Sequence, residues 1–135
     1  MLITVPQNLT IHHLTHSIVW FDKEGFLFIV PNQKQGDSAG EKQIRAELNA
    51  LQNLVGKKKV GIIAEDRRSP IKKSKQRAAV ATDFAQFTSA MAIITKSSVK
   101  KNISNIFLRF ISSAYPVRLF TSQEEAKVWL RGFSS

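Results

Sequence analysis

Two short apolar runs set most of the limits on this chain. Residues 60–64 read Val-Gly-Ile-Ile-Ala, and residues 89–95 read Ser-Ala-Met-Ala-Ile-Ile-Thr. Neither alternates apolar with polar positions, which is the pattern of a strand covered on both faces. Each is followed by helix-opening chemistry, Ser69-Pro70 after the first and Ser97-Ser98 after the second. Serine caps a helix by accepting a free backbone N–H, and proline suits the first helical position. Strands alternating with helices in this way predict an α/β domain with a largely parallel sheet.

The flanking segments complete the pattern. Ile18-Val19-Trp20-Phe21 and residues 26–30 read as strands joined by the turn residues Asp22-Lys23-Glu24-Gly25, so a hairpin supplies an antiparallel edge. Pro31 ends it, and residues 32–37 form a polar loop. Ser38 with Glu41 is a capping box. The helix it opens places Ile44, Leu48, Leu51 and Val55 on one stripe and stops at Gly56. A second helix runs from about residue 70 to residue 85. A third carries Val99, Ile103, Ile106, Phe107, Phe110 and Ile111 on its inner stripe. Residues 116–120 make a fifth strand. Thr121 with Glu124, or Ser122 with Glu125, caps a last helix whose stripe is Ala126, Trp129, Leu130 and Phe133. The expected fold is therefore a single five-stranded mixed sheet with four helices in the order ββαβαβαβα, spanning residues 17–135. Residues 1–16 are expected to form a loosely ordered lead-in.

The chain has 135 residues, of which 43% are hydrophobic, including nine Phe and two Trp, enough for one packed core. It has no cysteine, which excludes disulfides, thiolate nucleophiles and cysteine metal sites. It shows neither a signal-peptide layout nor an apolar run of membrane length, so the expected setting is cytoplasmic. The net charge of +10 points to an anionic partner.

That charge is concentrated. Residues 57–77 hold nine of the twenty Lys and Arg residues. In a parallel sheet the carboxyl ends of the two apolar strands lie on one side, so the helix starts after both face one rim. One start carries Arg67, Arg68, Lys72 and Lys73; the other carries Lys96, Lys100 and Lys101. Helix N-termini add a partial positive charge of about half a unit each. The rim reads either as a solvated face or as a surface for an anion or acidic partner. Ser69 reads as an N-cap worth about 1 kcal/mol. A phosphate on it would sit beside four cations, a favourable docking arrangement.

Other constellations carry less. His12, His13 and His16 lack a matching acidic or histidine group, and no metal or other cofactor is expected. Glu65 and Asp66 sit at a strand end where α/β enzymes place acids, but the flanking cations make them ion-pair partners. The glycines are scattered and form no phosphate loop. No catalytic residue is expected. Phe107 and Phe110 fit the core stripe of the third helix. Leu108 falls outside it, and with Phe107 and Phe110 it extends an apolar edge that meets a second copy in a homodimer or covers a lipid-like ligand. The basic stretches lack interleaved aromatics, which disfavours nucleic acid.

The ending Tyr115-Pro116-Val117-Arg118-Leu119-Phe120-Thr121-Ser122-Gln123-Glu124-Glu125-Ala126-Lys127-Val128-Trp129-Leu130, with the element order and size, is similar to the small bacterial STAS-like domains. These are the SpoIIAA-like proteins, related in fold to sulfate-transporter tails and anti-sigma-factor antagonists. The resemblance covers roughly residues 17–133. It implies a non-enzymatic binding or regulatory module that signals through protein–protein contacts. In such domains a serine opening the second helix is phosphorylated by a partner kinase, and Ser69 is the matching position. Where those domains carry Asp-Ser and a small glycine-containing segment, this chain has Asp66-Arg67-Arg68-Ser69-Pro70 and a lysine-rich continuation. It is closer to a divergent branch whose proposed roles include signalling and lipid-like ligand binding. A carrier for a small anionic or lipid-like ligand is thus the alternative to an acidic protein partner.

Overall fold

In the computed structural model, which describes residues 3–15, 17–32, 41–65, 84–96 and 115–133, eight elements follow one another. They are β1 (His12–His13), β2 (Ser17–Phe21), β3 (Leu27–Pro31), α1 (Glu41–Val55), β4 (Val60–Glu65), β5 (Thr88–Ile94), β6 (Val117–Phe120) and α2 (Gln123–Arg131). The strands form one mixed sheet in the order β1-β2-β3-β4-β5-β6. The first two pairings are antiparallel and the remaining three are parallel.

The α/β class holds, and the element counts differ from those expected. Six strands replace five, because His12 and His13 pair with Val19 and Ile18 as a short edge strand. Two residues carry no periodicity, so this pairing left no mark in the local sequence. Two helices are present among the described residues in place of four. The helices expected near residues 70–85 and 98–111 fall mainly on residues 66–83 and 97–114, outside the described residues.

The β2–β3 hairpin forms where turn chemistry lies. Gly25 sits at φ +87°, a left-handed conformation that favours glycine. Its N–H donates to the Asp22 carbonyl at 3.0 Å. Asp22 Oδ1 also accepts from the backbone N–H groups of Glu24 and Phe26, both at 3.0 Å. The result is a three-residue loop with a left-handed last residue, a common hairpin geometry. Above it, Trp20 stacks on its cross-strand neighbour Phe28 with ring centroids 5.3 Å apart.

Alternation along β3, β4 and β5 sends side chains to two separate cores. One holds Val19, Leu27, Ile29, Ile62, Met91 and Ile93, covered by Leu48 and Leu51 of α1. Phe84, Ala85, Phe87 and Tyr115, the described ends of the longer connections, pack on this same side. The other core holds Trp20, Phe28, Val30, Ile63, Ala90, Ala92 and Ile94, covered by Ala126 and Leu130 of α2. Six strands span roughly 24 Å, whereas one helix is only about 10–12 Å wide. Among the described residues, those before β2 supply further cover. Ile3 is buried in this core, with Val5, Leu9 and Ile11 half-buried against it.

Two local features seat α2. Ser122 is its N-cap and accepts from the Glu125 N–H at 3.4 Å, which selects Ser122 over Thr121. A Cβ added to Gly61 would lie 3.0 Å from the Phe26 ring and 3.5 Å from Leu130, so α2 and the hairpin approach β4 as closely as they do because residue 61 has no side chain. At the far end Lys127 and Arg131, one turn apart, face the hairpin loop. Lys127 Nζ lies 3.3 Å from Asp22 Oδ2. Arg131 donates from both Nε and one terminal nitrogen to Glu24, at 2.9 and 2.7 Å.

Gly61→Val drives a branched side chain into Phe26 and Leu130 and destabilises the domain by about 1–3 kcal/mol, measured by urea unfolding. The Arg131 hydrogen bonds hold the Glu24 carboxyl below its ordinary value of 4.5. A depressed acid contributes its full stability above about 4.5 and loses it as pH falls through the lower folded value. Glu24→Gln therefore flattens the acid limb of the stability–pH curve. Because the pair is exposed, high salt narrows the gap between the two proteins.

Candidate functional site at the carboxyl edge of the sheet

The parallel register fixes one edge of the sheet. Glu65 stands opposite Ile94, and Ile94 opposite Phe120, so β4, β5 and β6 end side by side. Adjacent strands lie about 4.8 Å apart. The chain therefore leaves β4 after Glu65 and β5 through Thr95 and Lys96 at neighbouring points. Pro31, Asn32 and the start of β2 lie at the same edge, since Ser17 pairs with Pro31. Asn32 Nδ2 closes that corner by donating to the Leu14 carbonyl at 2.9 Å.

Of the cations expected on the rim, Lys96 is described, and it is exposed at this edge. Arg67, Arg68, Ser69, Lys72, Lys73, Lys100 and Lys101 lie outside the described residues, as do Phe107, Leu108 and Phe110 of the expected apolar edge. Lys57, Lys58 and Lys59 are exposed but belong elsewhere. They precede β4, whereas Glu65 ends it, and a six-residue strand is about 20 Å long. Lys57, Lys58 and Lys59 therefore stand at the edge opposite to Glu65 and Lys96. The three lysines follow the C-terminus of α1, where Gly56 N–H donates to the Gln52 carbonyl at 2.9 Å. Cations at that end complement the helix dipole.

Glu65 has a role the sequence did not suggest. It is 7% exposed, and its Oε1 accepts the backbone N–H of Ile3 at 2.8 Å. The acid is a hydrogen-bonded anchor for a segment 62 residues away in sequence. The available signal was parity. Gly61, Ile63 and Glu65 share one face of β4, and that face is buried. Asp66 lies outside the described residues. His12 and His13 are consecutive in a strand, so their side chains project to opposite faces. Among the described residues no three His, Cys, Asp or Glu side chains group closely enough to hold a metal ion. Burial raises the Tyr115 phenol far above its ordinary value, so it stays protonated across the physiological range. Among the described residues no helix is long and apolar enough to cross a membrane.

Residues 19–134 match the family described as Domain of unknown function (DUF7793), and the chain belongs to it. No curated protein and no solved structure matches the chain.

Removing the Glu65 carboxylate with Glu65→Ala leaves a buried N–H without its acceptor and costs about 1–3 kcal/mol in urea unfolding. Glu65→Gln keeps an acceptor oxygen and loses less. Equal losses from the two would assign the role to charge instead of to the hydrogen bond.

Proposed function

We propose that this chain is a non-enzymatic, STAS-like regulatory module that binds an acidic protein partner through a basic rim at the carboxyl edge. The observation that carries this reading is the β4–β5 register, with Glu65 opposite Ile94. It makes the two cation-rich segments, one beginning just after Glu65 and the other at Lys96, start from adjoining points. Arg67, Arg68, Lys72, Lys73, Lys96, Lys100 and Lys101 then act together on one partner, as the net charge of +10 favours. The similarity of residues 115–130 to STAS-like domains supports a signalling role, with Ser69 as the residue a kinase would modify. A phosphate there would neutralise part of the rim and change its partner.

The test uses protein isolated with its partners from its own cells. Reversing charge at Arg67, Arg68 and Lys96 to Glu weakens capture of the acidic partner by about tenfold. Reversing Lys57 and Lys58 at the opposite edge leaves capture within about twofold. Equal loss from both sets removes the rim as a site and leaves only bulk charge. Recovery of a bound anionic small molecule or lipid by native mass spectrometry, with no protein partner, favours the carrier reading instead. Identical partners for Ser69→Asp and Ser69→Ala would end the proposed switch.

A further inference from the structure

The two covers of the sheet are built differently. α1 is a 15-residue helix. On the opposite face α2 shares its work with residues 3–11, which adopt neither helix nor strand. Thr4, Gln7, Asn8 and Thr10 of that segment are exposed. Its tip is held by Ile3, which is 1% exposed and donates its N–H to Glu65 at 2.8 Å. Its other end is held by the two-residue pairing of β1 with β2. Between these points Val5, Leu9 and Ile11 are only half-buried. A stretch fixed at two ends, with exposed polar residues between, belongs to the low-stability part of a fold. The core it joins is the reverse, since Val30 and Ile63 in the same cluster are wholly buried.

We propose that residues 3–11 form a displaceable strap that opens about β1 while the rest of the domain stays folded. Closed, the strap fills the Glu65 carboxylate with a backbone N–H and covers the adjoining apolar core with Ile3. Open, it uncovers the apolar floor beneath Ile3 near the carboxyl edge of a central strand, where α/β sheets hold ligands. The device therefore switches the Ile3 corner of that edge between a covered and an uncovered state. It does not depend on the partner assigned to the basic rim.

The chain has no cysteine, so a single introduced thiol reports opening without background. Ile3→Cys places the probe under the strap, and Ala92→Cys places one in the 0% exposed core of the same face. With a thiol-reactive reagent and full-length protein, the Ile3→Cys thiol reacts at least about 100-fold faster than the Ala92→Cys thiol. Low urea accelerates labelling of the Ala92→Cys thiol steeply and that of the Ile3→Cys thiol little, because local opening exposes little surface. Adding Glu65→Ala to Ile3→Cys speeds labelling further, and adding Glu65→Gln speeds it less. The wild-type strap is checked independently by Leu9→Cys, which leaves Ile3 in place and reacts faster when Glu65→Ala is added. If the Ile3→Cys and Ala92→Cys thiols react at one rate with one urea dependence, Ile3 is uncovered only by global unfolding and the strap does not exist. If Glu65→Ala leaves both strap probes unchanged, the Glu65 contact does not control it.

Discussion

Everything in this fold follows from a central strand that is buried on both sides. Ile62 and Ile63 point to opposite faces of β4 and both are 0% exposed. A strand of that kind obliges the chain to supply two covers, because apolar area left in water forfeits about 25 cal/mol for each Å². The α1 side is supplied by α1 and by the described ends of the longer connections. Among the described residues, the other side is covered by one nine-residue helix and the segment before β1. Small residues answer the difference. Gly61, Ala90 and Ala92 line the α2 face, so α2 can sit close while the larger Trp20, Phe26 and Phe28 fill the region beneath the hairpin.

Charge is then distributed by the same requirement. Asp22 and Glu24 face Lys127 and Arg131, which ties the C-terminal end of α2 to the hairpin loop. Glu65 is taken into the structure by Ile3. Three of the ten acids are therefore engaged in holding the α2-side cover in place, out of a composition with twenty cations. Those three serve internal contacts, while cations such as Lys57, Lys58, Lys59 and Lys96 face solvent. The excess of cations over acids gives the molecule a preference for anionic surfaces without naming one.

The strands were legible because each carries its own signal. Continuous apolar runs marked β4 and β5, and turn residues between β-rich segments marked the β2–β3 hairpin. The amphipathic stripe marked α1, where Leu48 and Leu51 are buried as the spacing requires. What escaped was non-local. β1 is too short for a period and exists because β2 offers it an edge. The anchor at Glu65 joins residues 62 positions apart, and nothing in either neighbourhood announces the other. Lys127 and Arg131 are spaced i, i+4, but their target on the hairpin loop depends on how α2 packs against the sheet. Phe133 was expected on the inner stripe of the last helix. It is 38% exposed and packs edge-on to Trp129, because the helix ends at Arg131 and the chain continues past it in a tighter turn, with the Phe133 N–H donating to the Leu130 carbonyl at 3.0 Å.

For the candidate site, linear sequence overstated one link and understated another. The run from Lys57 to Arg77 looks like a single basic element, yet β4 interrupts it: Lys57, Lys58 and Lys59 precede the strand, and its six residues carry the chain about 20 Å to Glu65. Conversely, Glu65 and Lys96 are 31 positions apart in sequence, yet Glu65 ends β4 and Lys96 follows the end of the adjacent β5, as the pairing of Glu65 with Ile94 requires. Proximity in this domain is set by strand register, so Lys96 stands near Glu65 although the two are distant in sequence. Lys57, Lys58 and Lys59 stand instead at the C-terminus of α1, whose dipole they complement.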